Sequence, residues 1–209
     1  MRDLSRPFTV IHRFTVKGNT EKFEREFQDY ADYLLHVPGF DFLVTVRLLD
    51  RPEVYTHLGH WRSLHSFVSA VHDEPYLDRV RRLGAMVETE ADQAVSIART
   101  VLGEARVGED SVLLLRIQVH GDWRTVESAF GVLAAELARR PGHGGSDLLR
   151  STLHARRYQA LLWWRDGASC AATLRSGIVQ EFAARVAPAA VVEVERTRHL
   201  AYRPQSPLD

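Results

Sequence analysis

The chain repeats itself at a constant offset of 103 residues, and this duplication is the feature that most restricts its fold. Pro38-Gly39 recurs as Pro141-Gly142, and Trp61-Arg62 recurs as Trp164-Arg165, with no insertion or deletion between the copies. Other identities at this offset are Glu24 with Glu127, Phe27 with Phe130, Arg47 with Arg150, and Tyr55 with Tyr158. A register this long indicates two copies of one structural unit. We therefore predict repeats at residues 1–102 and 111–209, joined by a polar linker at residues 103–110.

Both copies show the same order of hydrophobic patterns. In the first copy, β-branched and aromatic residues predict a strand over Phe8–Val16, and a helical period then runs from residue 20 to Pro38-Gly39. Two strands, a helical stretch interrupted near residues 73–75, and a last strand complete the copy. This β-α-β-β-α-β order predicts an α+β protein of two tandem ferredoxin-like repeats. One face of each sheet would be free, and pairing the free faces would form a barrel within one chain.

Composition excludes several classes of protein. Lys and Arg together number 27, as do Asp and Glu, so the chain lacks the basic excess that nucleic-acid binding favours. The single Cys170 allows no internal disulfide, and no Cys/His spacing resembles a zinc site. No apolar run is long enough for a membrane span, and residues 1–7 do not resemble a signal peptide. We expect a reduced, cytoplasmic protein with no nucleic-acid or membrane partner.

Alternation along the strands separates two faces of each predicted sheet. A uniformly apolar face in the second copy, expected beneath the helices, comprises Leu113, Leu115, Ile117 and Val119. We place on the opposite face a mixed aromatic and polar set that suits a small-molecule cavity, namely Arg13, Thr45, Arg47, Tyr55, His57 and Trp61. The second copy has Ala160 at the position of His57. The first copy is therefore predicted to hold the active cavity, and the second to be its structural complement.

Several motifs of the first copy, in their order, resemble the antibiotic-biosynthesis monooxygenase superfamily. They are Pro38-Gly39-Phe40, Tyr55, Trp61-Arg62-Ser63, Phe67 and the run HDEPY at residues 72–76. The resemblance implies the dimeric α/β-barrel fold and chemistry on aromatic polyketides. Small quinone-forming members carry an amide four residues before the Trp and a Tyr six residues after it; here these are His57 and Phe67. The haem-degrading branch is not implied, because residues 78–81 contain no axial His.

The runs HRFTVKG at residues 12–18 and FDFLVTVRLLDRP at residues 40–52 resemble a narrower group. Its members open the B ring of angucyclinones in jadomycin-, gilvocarcin- and kinamycin-type pathways. This resemblance implies O2, reduced flavin (FADH2 or FMNH2) as a diffusible co-substrate, a flavin reductase as partner, and neither metal nor haem. No G-x-G-x-x-G motif opens a helix, so a flavin would not be held by a dinucleotide fold. Free sheet edges would allow a homodimer.

His57 is the first candidate catalytic residue, because an imidazole titrates near neutrality and can accept a phenolic proton. The alternative is a buried histidine bonded to a neighbour. Arg47 is the second candidate, as a guanidinium that holds a phenolate or peroxide anion. Because arginines recur in both copies, a structural ion pair with Glu90 or Glu193 is the alternative.

The other candidates are substrate-binding residues. Arg13 and Thr45 offer polar contacts, whereas Tyr55, Trp61 and Phe67 could stack on a planar ring or pack the core. No metal site is expected from the remaining histidines, His60, His65 and His72. We predict an oxygenase of a small aromatic polyketide. The alternatives are a polyketide cyclase of the same fold and a non-catalytic accessory subunit.

Overall fold

The computed structural model describes residues 6–200, and its elements follow the predicted order in both copies. The first set is β1 (Phe8–Val16), α1 (Thr20–Leu34), β2 (Phe40–Leu48), β3 (Val54–Trp61), α2 (Leu64–Ala70), α3 (Glu74–Gly84) and β4 (Val87–Val101). The second is β5 (Val112–Val119), α4 (Trp123–Leu137), β6 (His143–Ser151), β7 (Arg157–Trp164), α5 (Gly167–Arg175), α6 (Ile178–Val186) and β8 (Ala190–His199). The described residues form two compact units, and the boundary lies within β4 after Ala94.

In the first unit, the antiparallel strand order is β4-β1-β3-β2. The helix α1 begins where the Asn19 side chain accepts a hydrogen bond from the Lys22 backbone amide. Its apolar stripe, which includes Phe23 and Phe27, is buried. The helix ends before Gly39, whose φ of +82° only glycine adopts without strain. This turn returns the chain to β2.

The second unit has the strand order β8-β5-β7-β6 and a more aliphatic interior. Its helices α4, α5 and α6 cover one sheet face, where the buried residues form one continuous cluster. That cluster includes Leu113, Leu115, Ile117 and Val119, which confirms their predicted place beneath the helices. No helix in the described part of the chain is long and apolar enough to span a membrane.

The prediction of an α+β protein built from two tandem ferredoxin-like repeats is confirmed, with two differences in detail. The sequence pattern predicts one helix over residues 169–186, whereas the structure has two, because Gly177 adopts a φ of 80° between them. The pattern also predicts the fourth strand over residues 93–101, whereas β4 begins at Val87 and pairs with β1 although several of its residues are polar and exposed. A pattern of hydrophobic residues cannot reveal such a strand, because its hydrogen bonds rather than its side chains place it.

Candidate active site

The sequence predicts that the candidate residues of β2 and β3 lie on the sheet face away from the helices, and this assignment is wrong for all of them; only Arg13 lies on the predicted face. Residues directly opposite each other in an antiparallel pair point to the same face, and His12 lies opposite His57, whereas Arg13 lies opposite Thr56. The His57 ring contacts Phe27 of α1, with 5.1 Å between ring centroids. The predicted residues of β2 and β3 therefore lie between the sheet and the helices. Arg13 lies on the opposite face, apart from them.

The structure brings His57 together with four other polar side chains in the interior of the first unit. We call this group the His57 cluster; its members are His12, Tyr30, Thr45, His57 and Tyr76. The Thr45 Oγ1 atom lies 3.0 Å from Nδ1 of His57. The ring of His12 stacks on that of His57 at 6.1 Å with an interplanar angle of 7°. On the helix side, the ring of Tyr30 lies edge-on to His57 at 6.1 Å.

The two tyrosines of the cluster face each other from different helices. The Tyr30 hydroxyl on α1 donates a hydrogen bond of 3.5 Å to the Tyr76 hydroxyl on α3. Burial raises the pKa of Tyr30 well above its ordinary value and also raises the pKa of Tyr76. Both phenols therefore stay protonated at neutral pH, and they supply hydrogen-bond donors to this interior.

The histidines of the cluster are neutral at neutral pH. Burial, followed by the nearby His12 and His60, lowers the pKa of His57 well below its ordinary value. Burial lowers the pKa of His12 to about 4. The Nδ1 atom of His12 is buried and has no hydrogen-bond partner. The cluster thus contains neutral donors and acceptors in a region from which charge is disfavoured.

Aromatic rings border the cluster at the end of β3. Trp61 packs edge-to-face against Phe40 at 5.0 Å and against Phe67 at 5.4 Å. Between Trp61 and His57, the strand carries Gly59 and so presents no side chain. A methyl group built on Gly59 would lie 3.3 Å from Nε2 of His57 and 3.6 Å from Nε1 of Trp61. The glycine therefore leaves a space of about one methyl group beside the imidazole, bounded by Phe40 and Trp61.

The second unit keeps the scaffold but replaces every polar member of the cluster with an aliphatic residue. The equivalents of His12, Tyr30, Thr45, His57, Gly59 and Tyr76 are Leu115, Leu133, Leu148, Ala160, Leu162 and Val179. All of these belong to the buried core of that unit. The same fold is thus stable without these polar groups. The fold itself therefore does not require the polar groups of the first unit.

Arg47 and Tyr55 make the same contacts in both units. The Tyr55 hydroxyl donates a 2.7 Å hydrogen bond to Glu24 of α1, and the guanidinium of Arg47 lies 3.4 Å from the same carboxylate. Arg47 also donates from Nε to the Pro52 carbonyl at 2.6 Å. In the second unit, Tyr158 bonds to Glu127 at 2.9 Å, and Arg150 lies 3.6 Å from Glu127. This repeated arrangement ties the sheet to the first helix of each unit.

Two further residues of interest, Arg13 and His60, lie on the opposite face of the first sheet. Arg13 donates a 3.4 Å hydrogen bond to Thr56, and its strand register places it opposite Glu90. Its counterpart in the second unit, Arg116, forms an ion pair of 3.4 Å with Glu193. His60 is hydrogen-bonded to Thr9 and stacks on Phe42. Within residues 6–200, no group of His, Cys, Asp and Glu could hold a metal ion.

His12, Tyr30 and Tyr76 are not among the site residues predicted from the sequence. The signal that singled out His57, a polar residue opposite an apolar one at the offset of 103, applies to all three. His12 was missed because the prediction turned its neighbour Arg13 toward the site, and alternation along the strand then turned His12 away from it. The tyrosines were missed because a helical apolar stripe normally packs a core.

Comparison with known proteins supports the resemblance for the first unit. Residues 7–82 match the model of the antibiotic biosynthesis monooxygenase family. These residues carry the whole His57 cluster. A search of curated proteins finds no match.

Solved structures share the fold over nearly the whole chain. A candidate monooxygenase of Fusobacterium nucleatum subsp. nucleatum ATCC 25586 has a TM-score of 0.77 and 10% identity, covering 98% of this chain and 97% of that one. A candidate monooxygenase from Lactobacillus acidophilus NCFM has a TM-score of 0.69 and 13% identity, covering 96% and 97%. SnoaB, a cofactor-independent oxygenase from Streptomyces nogalater, is 27% identical with a TM-score of 0.43, covering 47% of this chain and 99% of that one.

Proposed function

We propose that the first unit is an O2-dependent oxygenase of a hydroxylated aromatic compound, with an aromatic polyketide as the substrate class. One observation carries this proposal: a neutral, buried set of hydrogen-bonding groups occurs in the first unit, whereas aliphatic residues replace it in the second. The family match over residues 7–82 supports oxygenase chemistry in this unit. The substrate hydroxyl would approach Nε2 of His57 beside Gly59, next to the rings of Trp61 and Phe40.

His57 would accept the phenolic proton of the substrate through Nε2. This role requires the tautomer in which Nδ1–H donates to Thr45, because the second nitrogen is then free as an acceptor. A buried imidazole with a lowered pKa is a weak base, so full transfer from a resting phenol is unfavourable. When the ring loses an electron to O2, however, its hydroxyl becomes strongly acidic. Proton and electron would therefore leave the substrate together.

The complete reaction balances without a metal. The substrate gives one electron to O2 and one proton to His57, which leaves an aryloxyl radical and superoxide. These combine at a ring carbon, and the imidazolium returns its proton to form a hydroperoxide. Loss of water then gives a quinone, so that one oxygen atom enters the ring and the other leaves as water. The tyrosine hydroxyls of the cluster, Tyr30 and Tyr76, would stabilise the developing peroxide charge as neutral hydrogen-bond donors.

The finer form of this proposal concerns the substrate and co-substrate. With an angucyclinone, the same hydroperoxide would rearrange with cleavage of a ring C–C bond, so that both oxygen atoms stay in the product and no further electrons are needed. In the flavin-dependent form, reduced flavin delivered by a reductase would supply two electrons in place of the substrate, one oxygen atom would enter the ring, and the other would leave as water. Arg47 is not assigned the anion, because its guanidinium already contacts Glu24 and Pro52. We assign Tyr55 and Arg47 to positioning the sheet against α1.

The test is oxygen consumption with a hydroxylated angucyclinone, in air and under argon, with and without FAD and a flavin reductase. We expect oxygen uptake and a product that has gained oxygen, both lost under argon. His57→Ala should lower turnover by about 10²–10⁴-fold, as expected for a general base. The matched control is His60→Gln, which alters a buried histidine on the other sheet face. Product formation without O2, or equal loss in both variants, would contradict the proposal.

A further inference from the structure

The second unit contains several buried polar atoms without hydrogen-bond partners, at a different place from the position of the His57 cluster in the first unit. Four buried atoms there lack a hydrogen-bond partner: both ring nitrogens of His143, Oγ of Ser146 and Nε1 of Trp164. The exposed fractions are 6% for His143, 1% for Ser146 and 0% for Trp164. We call these three residues the His143 set.

Strand register places the three side chains on one face. His143 lies opposite Trp164, and Ser146 lies opposite Leu162, at the start of β6 and the end of β7. Trp164 and Leu162 both belong to the core beneath the helices, so their partners face the same way. The rings of His143 and Trp164 are in edge-to-face contact at 5.4 Å.

The first unit has apolar residues at two of these three positions. Phe40 occupies the place of His143, and Leu43 occupies the place of Ser146. Phe40 packs on Trp61 in the same edge-to-face manner, at 5.0 Å. The scaffold therefore accepts hydrophobic side chains here. The second unit instead places polar atoms in its core, where each one that is left without a hydrogen bond destabilises the fold.

Native proteins rarely leave several buried polar atoms unbonded at one place. We propose that the His143 set binds a small neutral molecule carrying a hydroxyl group on an apolar body, such as a phenol. The indole of Trp164 is a donor only, so the ligand must offer an oxygen acceptor. A neutral His143 offers one donor and one acceptor, and the Ser146 hydroxyl can do either. A hydroxyl group matches this set, since it both accepts and donates.

The neutrality of the ligand follows from the surroundings. Burial lowers the pKa of His143 to about 4, so the ring carries no charge at neutral pH. The nearby Asp147 is already bonded to Ser96 at 2.5 Å and to Arg99 at 2.7 Å. The rest of the cluster around Trp164 is apolar, including Leu148, Leu162 and Cys170. An ion would lose its hydration there without a counter-charge.

The experiment is an NMR titration of the full chain with phenol, with benzene as the matched probe that lacks the hydroxyl. The readout is the indole N–H signal of Trp164, assigned by Trp164→Phe among the four tryptophans. We expect a saturable shift of this signal with phenol and a much smaller one with benzene. The double variant His143→Phe, Ser146→Leu inserts the residues of the first unit and should abolish the phenol shift.

A second variant, Ser146→Ala, removes one hydroxyl and should weaken phenol binding about tenfold without disturbing the fold. It keeps the test informative if the double variant unfolds. Absence of a phenol shift in the unmodified chain would overturn the proposal and indicate that internal water bonds these atoms. A phenol shift that persists in the folded double variant, or at full strength in Ser146→Ala, would also overturn it. Neither outcome depends on oxygenase activity.

Discussion

The direction of one hydrogen bond, between Thr45 and His57, determines what the imidazole can do. With Nδ1 donating to Thr45, Nε2 is an acceptor that points toward Gly59. In the proposed reaction, Thr45 therefore positions His57. The second unit has Leu148 and Ala160 at the positions of Thr45 and His57, so its aliphatic core contains no such hydrogen bond.

Gly59→Ala tests whether the space beside His57 receives the substrate. The new methyl group would lie 3.3 Å from Nε2 of His57 and 3.5 Å from the Phe40 ring, and would block the approach of the substrate hydroxyl to His57. We expect kcat/KM to fall at least about tenfold, with the free energy of unfolding changed by less than about 1 kcal/mol. The control is Gly84→Ala, since nothing lies within 4 Å of that position. Unchanged kcat/KM in Gly59→Ala would place the substrate elsewhere.

The pH dependence of stability should report on His12. Its pKa is about 4 in the folded chain and about 6.5 when unfolded. Below pH 6.5 the unfolded chain therefore binds a proton that the folded chain does not, so folding stability falls between pH 6.5 and 4. In His12→Leu this loss should be smaller, as measured by urea unfolding across that range. His65→Leu is the control, because His65 is exposed. Identical pH profiles for all three proteins would refute the assignment.

The third strand of each unit, β3 or β7, makes the same contact with the first helix of its unit. Tyr55 and Tyr158 each donate to a glutamate on that helix, and an arginine lies beside each carboxylate. Burial and the bonded Glu127 raise the pKa of Tyr158 to about 12, so the phenol remains a donor at any physiological pH. The sequence identity of the two copies at these positions follows from this contact.

Tyr55→Phe and Tyr158→Phe should have matching effects on stability. Each removes one hydrogen bond to a partly buried carboxylate, so we expect the free energy of unfolding to fall by about 1–2 kcal/mol in both. Turnover should stay within about threefold of the unmodified chain. Urea unfolding and oxygen uptake measure the two quantities. If Tyr55→Phe alone reduced kcat more than tenfold, Tyr55 would contact the substrate, as the sequence analysis expected.

The two units carry their buried polar side chains at different positions of interiors that are otherwise similar. The first is polar around His57 and aromatic around Trp61, whereas the second is aliphatic around Ala160 and polar around Trp164. Each polar region lies where the other unit is apolar. Duplication therefore preserved the packing framework and allowed each copy to diverge in its interior.

Replacing the polar groups of the first unit with those of the second should separate stability from activity. The triple variant His12→Leu, Thr45→Leu, His57→Ala copies three core residues that the scaffold already accommodates. We expect it to fold, to unfold at a higher urea concentration, and to lose oxygen uptake, because buried polar groups kept for function reduce stability. As a control, Leu115→Met with Leu148→Met changes the second core conservatively and should leave uptake intact. Retained uptake in the triple variant would remove the His57 cluster from the mechanism.

The sequence by itself determined the duplication and the element order and identified His57 as a candidate, because hydrophobic periodicity and a fixed offset can both be read from one chain. The sequence also contains Tyr30 and Tyr76, but only folding brings their hydroxyl oxygens, on α1 and α3, to 3.5 Å from each other. Tertiary structure decided which face Thr45 and His57 occupy, since a strand register shifted by one residue reverses every side chain. It also decided that Arg47 and Tyr55 contact Glu24, because hydrogen bonds between distant residues leave no periodic signal.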